Sequence, residues 1–495
     1  MTAQTADLGN PNAADGPHGH TGAPYTYDGH GASQPGIGKP VGFPYPLYEA
    51  PQLDSFDNLL ECMADFGDTQ VAFERADGER VTYRALVNAV RRERLALDGL
   101  DLARASSADR FIVVCDSDPV TFTARYLAAV TSGRCAVLCP LKDWQRAALE
   151  AEGVPEGVCT IASSSGTSGR PKAAMLIEQG LLSDLISGLE LYEFAPGARY
   201  AKLLPYTHAF GLVCDLLAPL ATGGTIALPH TSTTFAAELP RLAPTALNLP
   251  PRAASLLADF LDKGLYRLPT LCKMLCGGAG LPASVTQRLR AHGIEAFGCY
   301  GLTECSPCVS VNRDGWHKDG SCGVPLRCNE VQVAPNDEIL VHGPNVMAGY
   351  LGDTALTSER LHDGWLHTGD VGRIDADGFL YVDGRLDDVI VLSDGTKVAP
   401  EVIERALEAH PTITQALVYG ADKSNRAGMS SRTSDQTVLA CKIVLAEDAS
   451  KSDEADAVEF ARSIIAPEGA YIEHVTVTRS PLPTNAAGKL LRRLM

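Results

Sequence analysis

The stretch Ser163-Ser-Ser-Gly-Thr-Ser-Gly-Arg-Pro-Lys172 is the most informative feature of this chain, because it contains only serine, threonine, glycine, proline and cations. Such a loop has little side-chain bulk, many free backbone N–H groups, several hydroxyl donors and the positive charge of Lys172. Converging donors at close approach suit a polyphosphate. The loop lacks the G-x-x-x-x-G-K-[ST] spacing of a Walker loop. We therefore predict a phosphate-binding loop of another kind.

The segments that flank this loop indicate that it connects two strands. Residues 157–162 before it form a short apolar run, and residues 173–177 after it are apolar again. The alternative is a flexible Ser/Gly linker. The strand-like flanks and the stiff Pro171-Lys172 exit favour the phosphate-binding loop.

Composition describes a large, acidic, globular chain. Its 495 residues are 45% apolar and 21% charged, with a net charge of −18. This length exceeds one ordinary domain, and the acidic balance disfavours nucleic-acid binding. The sequence contains no run of 18 apolar residues, so we predict no membrane span. The first basic residue is Lys39, which disfavours a signal peptide or a mitochondrial presequence, so we expect a cytoplasmic protein.

Fourteen cysteines, many of them inside apolar runs, indicate reduced and buried thiols. One group requires a separate test: Cys305 and Cys308 form a C-x-x-C pair, and Cys322 and Cys328 follow it. Four thiolates can hold zinc, although the closing pair is a loose match to the spacing of zinc ribbons. Core cysteines are the favoured interpretation, and a metal site stays open as the alternative.

The chain divides into three parts by composition. Residues 1–45 are rich in Gly, Pro and His with few aliphatic side chains, so we predict a disordered N-terminal tail. In residues 46–384, buried-strand patterns alternate with amphipathic stretches, which predicts α/β layers with largely parallel sheets. Residues 385–495 have their own helix and strand pattern, which is sufficient for a small α+β domain.

Four further motifs follow the loop along the chain. They are Tyr300-Gly-Leu-Thr-Glu-Cys-Ser306, Trp365-Leu-His-Thr-Gly-Asp370, Gly384-Arg-Leu-Asp-Asp-Val-Ile390 and Pro483-Thr-Asn-Ala-Ala-Gly-Lys489. In this order the set resembles the adenylate-forming superfamily, which holds acyl- and aryl-CoA synthetases, peptide-synthetase adenylation domains and luciferases. The resemblance covers residues from about 50 to 495, and five motifs at the family's spacing argue strongly against chance.

The resemblance implies an ATP-dependent acid ligase with a large adenylation domain and a small, mobile C-terminal domain. A small-molecule carboxylic acid and ATP give an acyl- or aryl-adenylate and pyrophosphate. A thiol acceptor, CoA or the phosphopantetheine of an acyl-carrier protein, then takes the acyl group. The implied cofactors are ATP and Mg²⁺, and catalysis consists mainly of charge neutralisation and positioning.

The resemblance also implies roles for individual nucleotide-binding residues. Glu304 lies near the Mg²⁺, Thr303 contacts the α-phosphate, and Asp370 with Arg385 holds the ribose hydroxyls. The alternatives are a helix-capping pair at 303–304 and a hairpin turn at 365–370. The nucleotide-binding residues that we predict are Ser163, Ser164, Ser165, Gly166, Thr167, Ser168, Gly169, Lys172, Gly277, Gly278, Ala279, Tyr300, Gly301, Asp370 and Arg385.

Further roles concern the acid and the movement of the small domain. Lys489 matches the family lysine that reaches into the cleft during adenylation, and Asp387 matches the hinge between the two half-reactions. His208 is interpreted either as a wall of the acid pocket near the carboxylate or as a core histidine bonded to backbone. The other pocket residues that we predict are Tyr206, Phe210, Cys299 and Leu302.

Two further sequence features concern the class of carboxylic acid that is activated and the acceptor of the acyl group. Residues 234–237 lack the aspartate that holds the ammonium group in α-amino-acid domains, so a plain acyl or aryl acid is favoured. Val391 stands where many family members carry lysine, which weakens the assignment of the second half-reaction. The rivals are an adenylating enzyme with a non-thiol, amide-forming acceptor or an unusual activated group, and a catalytically silent nucleotide-binding homologue. Retention of Lys172, Glu304 and Asp370 argues against silence.

Overall fold

The computed structural model describes residues 47–98, 110–164, 172–192, 197–231, 233–422, 437–446, 448–466, 469–483, 490 and 492. The predicted tail at residues 1–45 lies outside the described residues. So do six of the predicted site residues: Ser165, Gly166, Thr167, Ser168, Gly169 and Lys489.

Helices cover the faces of the sheets throughout the described part of the chain. They are α1 (Phe56–Asp65), α2 (Tyr83–Asp98), α3 (Pro119–Thr131), α4 (Asp143–Glu152), α5 (Glu178–Leu191), α6 (Ala209–Leu212), α7 (Ala218–Ala221), α8 (Phe235–Leu242), α9 (Pro251–Asp262), α10 (Ala283–Ala291), α11 (Thr354–Arg360), α12 (Pro400–Leu407) and α13 (Lys451–Ser463). A π-turn, Val213–Leu217, joins α6 to α7, and 3₁₀ turns occupy Thr303–Cys305 and Leu386–Asp388. Within the described residues, every helix is too short or too polar to span a bilayer.

Strands form five sheets in the described residues. They are β1 (Val71–Arg75), β2 (Arg80–Thr82), β3 (Phe111–Val113), β4 (Cys135–Val137), β5 (Val158–Ser164), β6 (Lys172–Ile177), β7 (Arg199–Ala201), β8 (Thr225–Leu228), β9 (Ala246–Leu249), β10 (Lys273–Cys276), β11 (Glu295–Gly301), β12 (Cys308–Val311), β13 (Val324–Pro325), β14 (Glu330–Val333), β15 (Glu338–His342), β16 (Gly349–Tyr350), β17 (Leu361–His362), β18 (Trp365–Ile374), β19 (Leu380–Arg385), β20 (Ile390–Val391), β21 (Lys397–Val398), β22 (Ile413–Asp422), β23 (Thr437–Leu445) and β24 (Ile472–Thr478).

The largest sheet has the order β13-β12-β11-β10-β9-β7-β8-β1-β2. Its six central strands, from β11 to β1, run parallel to one another. Strands β9 and β10 are almost entirely buried, as expected for a parallel sheet with helices on both faces. The predicted α/β architecture with largely parallel strands is confirmed in this sheet.

The second sheet, β16-β6-β5-β4-β3, carries the loop that opened the sequence analysis. Strands β5 and β6 pair antiparallel, with Ser164 opposite Lys172, so residues 165–171 connect two paired strands as predicted. Strand β16 pairs with the far side of β6 and places Tyr350 opposite Ala174.

The third sheet consists of β14, β15, β18 and β17, with β19 paired to β18. Residues 365–370 lie in β18, so the alternative of a hairpin turn there is wrong. Likewise, Thr303 and Glu304 lie in a 3₁₀ turn, and Leu302 before it makes no side-chain cap, so the helix-capping alternative is wrong.

The chain after Arg385 forms two small sheets, β20-β21 and β22-β23-β24, with α12 and α13 packed against them. The second sheet is mixed, because β22 and β23 are antiparallel whereas β23 and β24 are parallel. Helix α13 begins at Lys451, because Ser450 and Asp453 form a capping box there. Arg405 of α12 contacts the large part of the chain by donating to the Val382 carbonyl at 3.1 Å.

We predict that Gly323→Ala lowers the free energy of unfolding by about 3 kcal/mol, through crowding and left-handed strain together. Gly323 has φ +83°, and an added Cβ would lie 1.9 Å from the Val311 carbonyl carbon on β12. Gly320→Ala is the matched control, since its φ is +85° with open space around it, and it is expected to cost about 1 kcal/mol. Urea denaturation measures both variants; equal costs would contradict the role of crowding.

Candidate active site

A buried carboxylate, Asp370, lies where the first and third sheets meet. The Tyr300 hydroxyl from β11 donates to Asp370 at 2.7 Å. The Arg385 guanidinium from β19 donates to the other carboxylate oxygen at 2.6 Å, because Asp370 and Arg385 stand opposite each other in the β18–β19 register. Three predicted nucleotide-binding residues, far apart in the chain, therefore form one hydrogen-bonded group.

The charges of this group are set by burial and by the carboxylate. Burial raises the pKa of the Tyr300 hydroxyl well above its ordinary value, and Asp370 raises it further, so the tyrosine stays a donor. Burial alone would lower the pKa of Arg385, but Asp370 raises it above the ordinary value. Arg385 thus remains a cation that holds Asp370 in place. A carboxylate oriented in this way accepts hydroxyl hydrogen bonds, as a ribose diol requires.

Glu304 forms a second buried carboxylate, in the 3₁₀ turn after β11. The Ser164 hydroxyl donates to its Oε1 at 2.6 Å, and the Tyr350 hydroxyl donates to the same oxygen at 2.7 Å. Thr303 bonds the carbonyl of Ser163 at 3.3 Å. In the described part of the chain, no side-chain donor contacts the other carboxylate oxygen, so Glu304 retains capacity for a cation.

Lys172 lies beside Glu304 at the start of β6. Its Nζ is 5.4 Å from the centroid of the Tyr350 ring. Burial lowers the pKa of the Lys172 ammonium; Arg360 and Arg385 lower it further, while Glu304 opposes this shift. A half-buried ammonium beside two guanidinium groups is suited to a ligand with several negative charges. Sequence reasoning missed both Tyr350 and Arg360.

A buried polar cluster holds the turn that carries Glu304. Asp184 on α5 accepts from the backbone N–H of Cys308 at 3.0 Å and from the Asn345 amide at 3.2 Å. The Asn345 amide also donates to the carbonyl of Cys305 at 2.9 Å. Burial raises the pKa of Asp184 well above its usual range. Sequence reasoning missed this cluster, although a lone aspartate within the apolar run of α5 was an available signal.

The predicted acid-binding residues only partly converge. An added Cβ on Gly277 would lie 2.8 Å from Cys299 Sγ and 3.1 Å from Phe210 Cζ, so these three residues meet. Gly278 and Ala279 are exposed beyond the end of β10. Tyr206 is buried, with its ring 5.5 Å from that of Phe122 and 4.8 Å from Lys202 Nζ.

The remaining predicted residues are placed as follows. His208 is exposed at the N-terminal end of α6, so the alternative of a buried core histidine is wrong. Leu302 is half-buried against the main core cluster. Gly301 accommodates a close backbone approach, since an added Cβ would lie 2.0 Å from the Pro307 carbonyl oxygen.

Asp215, a carboxylate that sequence reasoning missed, lies in the π-turn behind Phe210. It accepts from the Asn248 amide at 2.7 Å and from the Leu204 backbone N–H at 3.1 Å. Burial raises the pKa of Asp215 to about 7, while those hydrogen bonds and Lys202 oppose this shift. Its hydrogen bonds therefore tie the segment that contains Phe210 to β9.

The C-x-x-C group is not a metal centre in this fold. Cys305, Cys308 and Cys322 are buried and Cys328 is half-buried, and all fourteen cysteines of the chain are free. Among the described residues, no cluster of His, Cys, Asp and Glu is arranged to hold a metal ion. These thiols pack in the main core cluster.

The predicted hinge residue, Asp387, is exposed in the 3₁₀ turn between β19 and the small sheets. Near it, Arg492 anchors the end of the chain. Its guanidinium pairs with buried Glu404 on α12 and lies 3.6 Å from Asp388. Arg492 is three residues after Lys489 in sequence.

Comparison with known proteins agrees with this geometry. The family model "AMP-binding enzyme" matches residues 110–351, and the model "AMP-binding enzyme C-terminal domain" matches residues 387–492. Over 420 residues, 81% of each chain, this protein is 31% identical to the feruloyl-CoA synthase of an Amycolatopsis species. This chain belongs to the AMP-binding, adenylate-forming enzymes.

Solved structures show the same fold. The anthranilate CoA ligase AuaEII, in complex with anthranoyl-AMP, superposes with a TM-score of 0.76 at 19% identity, over 91% of this chain and 97% of that one. The O-succinylbenzoate coenzyme A synthetase of Bacillus subtilis, which contains ATP and magnesium, has a TM-score of 0.70 at 23% identity, over 88% and 98%. The predicted family, fold class and general activity, an AMP-forming acid ligase, are confirmed.

We predict that Asp370→Asn weakens AMP binding about tenfold. The amide keeps the shape of the side chain but loses the charge that holds Arg385, and a hydrogen bond to a charged group contributes about 1.5 kcal/mol or more. Calorimetric titration with AMP measures the change. Asp377→Asn is the control, because Asp377 is an exposed carboxylate paired with Lys318 just after β18. Equal AMP affinity of both variants would remove Asp370 from the site.

Proposed function

We propose that this protein is an acid–CoA ligase that activates an apolar acyl or aryl carboxylate with ATP. The observation that carries the proposal is a pair of buried carboxylates, Asp370 and Glu304. Each accepts hydrogen bonds from hydroxyl groups, and each has a different cation beside it. Asp370, oriented by Arg385, is suited to the ribose. Glu304, beside Lys172, is suited to the phosphates.

The first half-reaction brings two anions together, so it depends on local positive charge. The acid carboxylate attacks the α-phosphate of ATP, and pyrophosphate leaves. Lys172 stabilises the phosphate charge, Thr303 is the predicted contact of the α-phosphate, and Lys489 enters from the small domain. One buried carboxylate with an uncommitted oxygen fits Mg²⁺, which keeps several waters; when bound, this ion neutralises phosphate charge.

The substrate acid is inferred from the side chains beside Gly277. Phe210 and Cys299 present apolar surface there, and burial raises the pKa of the Cys299 thiol well above its ordinary value, so none of these three residues is charged at neutral pH. The feruloyl-CoA synthase relative supports an aryl acid, whereas the 30% identical long-chain-fatty-acid–CoA ligase of Bacillus subtilis supports an aliphatic one. We therefore propose an apolar acid without an α-ammonium group.

CoA is the acceptor that we propose, since the relatives at 30% identity or more are named as CoA ligases. A carrier-protein thiol and an amine are the competing acceptors. The amide bond synthetase McbA shares the fold with a TM-score of 0.71 at 22% identity, so fold alone does not separate them. Val391, exposed in β20, stands where many family members carry lysine.

We further propose that residues 46–384 and 385–495 are the two domains, and that Asp387 is the hinge between them. The exposed position of Asp387 beside the junction supports this role. A cytoplasmic location is proposed because all fourteen cysteines are free thiols, which is the usual state in a reducing compartment.

A panel of acids tests the proposed function. The purified chain is assayed for acid-dependent pyrophosphate release and then for AMP release with CoA, with a phosphopantetheinylated carrier protein or with an amine. Pyrophosphate release with an apolar acid, followed by CoA-dependent AMP release, supports the proposal. If none of the acids in the panel supports pyrophosphate release, the chain is a silent homologue, and amine-dependent AMP release would establish the amide-forming rival.

We predict that Glu304→Gln raises the Mg²⁺ concentration needed for half-maximal adenylation about tenfold, since the amide keeps its shape but loses its charge. The measurement is a Mg²⁺ titration of pyrophosphate release. Glu150→Gln, on the exposed face of α4, serves as the control. A titration indistinguishable from that of the native enzyme would assign Glu304 to a structural role.

We predict that Lys489→Ala slows adenylation by about 10²–10³, the usual cost of losing one preorganised charge at the reacting group. Thermal stability should not change. Lys451→Ala, at the exposed start of α13, is the control. Single-turnover pyrophosphate release gives the rate, and an unchanged rate would exclude the closing role of Lys489.

A further inference from the structure

Arg360 is a cation beside the candidate site to which no motif of the sequence points. It is the last residue of α11, a helix whose start is capped by Asp353. Helix α11 follows β16 and precedes β17 and β18 in the chain, and it packs against all three strands. Its C-terminal end therefore lies between Tyr350, which bonds Glu304, and β18, which carries Asp370. The position of Arg360 is thus set by the same elements that build the two carboxylate groups.

Arg360 and Arg385 converge on one glycine. An added Cβ on Gly369 would lie 2.5 Å from Arg360 Nη1 and 3.2 Å from Arg385 Nη2. Two guanidinium groups therefore share the space that a side chain would fill at residue 369. Like charges at this separation repel, which is unfavourable unless an anion compensates.

The two arginines differ in their protein partners. Arg385 has the Asp370 carboxylate at 2.6 Å. Arg360 has the His367 carbonyl at 3.4 Å, and its Nε is 3.6 Å from Glu359, a largely exposed carboxylate. Within the described residues, the buried Nε atoms of both arginines have no hydrogen-bond partner. Arg360 thus retains donor capacity that the described side chains do not use.

Carboxylates also lie around these cations, but each has another partner or faces solvent. Asp370 pairs with Arg385, and Glu304 is held by two hydroxyls. Glu338 accepts from the Gly369 backbone N–H at 2.9 Å and pairs with His367, and Glu359 is largely exposed. Burial, then Arg360 and Arg385, lower the pKa of Lys172, while Glu304 and Glu359 oppose this shift. The Nε of Arg360, which no described residue hydrogen-bonds, is therefore available to an anionic ligand beside Lys172.

We infer that Arg360 binds the β- or γ-phosphate of ATP together with Lys172. A guanidinium presents two parallel N–H donors that match phosphate oxygens, and it stays charged beside other cations where an ammonium tends to lose its proton. The inference deepens the proposed function and rests on it. The competing interpretation is structural, because a cation at the last turn of a helix is favoured by the helix dipole.

Calorimetric titrations without the acid substrate test this role. Arg360→Gln should raise the Kd of Mg·ATP about tenfold, by loss of one charged phosphate contact, while the Kd of AMP changes less than about twofold. Arg373→Gln is the matched control, since Arg373 is an exposed arginine on β18 that stacks on Tyr381 at 4.1 Å. An unchanged Kd for Mg·ATP, or an equal loss for AMP, overturns the assignment.

The same titrations distinguish failure of the proposed function from failure of the role of Arg360. If the native protein binds no Mg·ATP, the proposed function fails, whereas native binding with an unaffected Arg360→Gln variant defeats only the role of Arg360. If Arg360→Gln does not fold, Arg360→Lys replaces it, because lysine keeps the charge at the helix end and loses the paired donors. Weaker Mg·ATP binding with unchanged AMP binding then supports the inference, and unchanged binding of both refutes it.

Discussion

The hydrogen-bonded group of Tyr300, Asp370 and Arg385 is the constraint on which the candidate site depends. Asp370 is buried, and a buried carboxylate is costly unless charged and hydrogen-bonding partners surround it. Its partners come from β11 of the nine-stranded sheet and from β19 of the third sheet. The carboxylate therefore joins two sheets, in addition to the ribose-binding role that we propose for it.

Glu304 makes the corresponding connection between the first and second sheets. Its two hydroxyl partners, Ser164 and Tyr350, belong to β5 and β16, which flank β6 on either side. The strand that begins with Lys172 thus lies between the two groups that orient Glu304. This arrangement explains how one ammonium and one carboxylate stay close while both keep capacity for a ligand, as positioning catalysis requires.

The polar cluster around Asp184 and Asn345 shows how the chain is held between the 3₁₀ turn at Thr303–Cys305 and the start of β12. One Asp184 oxygen accepts from the backbone N–H of Cys308, and the Asn345 amide donates to the carbonyl of Cys305. Burying such groups without partners costs about 1–3 kcal/mol each. Three cations, Lys172, Arg360 and Arg385, also lie close together; Asp370 and Glu304 offset part of their repulsion, and a bound anion would offset it further.

The sequence by itself indicated the class of fold and the strand-loop-strand unit around residues 163–172, because these depend on local patterns of residue type, whereas Glu304 and Asp370 followed from the resemblance of their motifs to a known family. The apolar surroundings of the cysteines favoured core packing over a zinc site at Cys305, Cys308, Cys322 and Cys328, although the spacing of the four cysteines kept zinc as an alternative. Only the tertiary structure decided which hydroxyls hold Glu304, that His208 is exposed, and that Arg360 faces Gly369. Those outcomes depend on contacts between residues distant in sequence, such as Asn345 with Asp184, 161 positions apart. Such contacts follow from sheet pairing and crossover connections, which leave no periodic signal in the sequence.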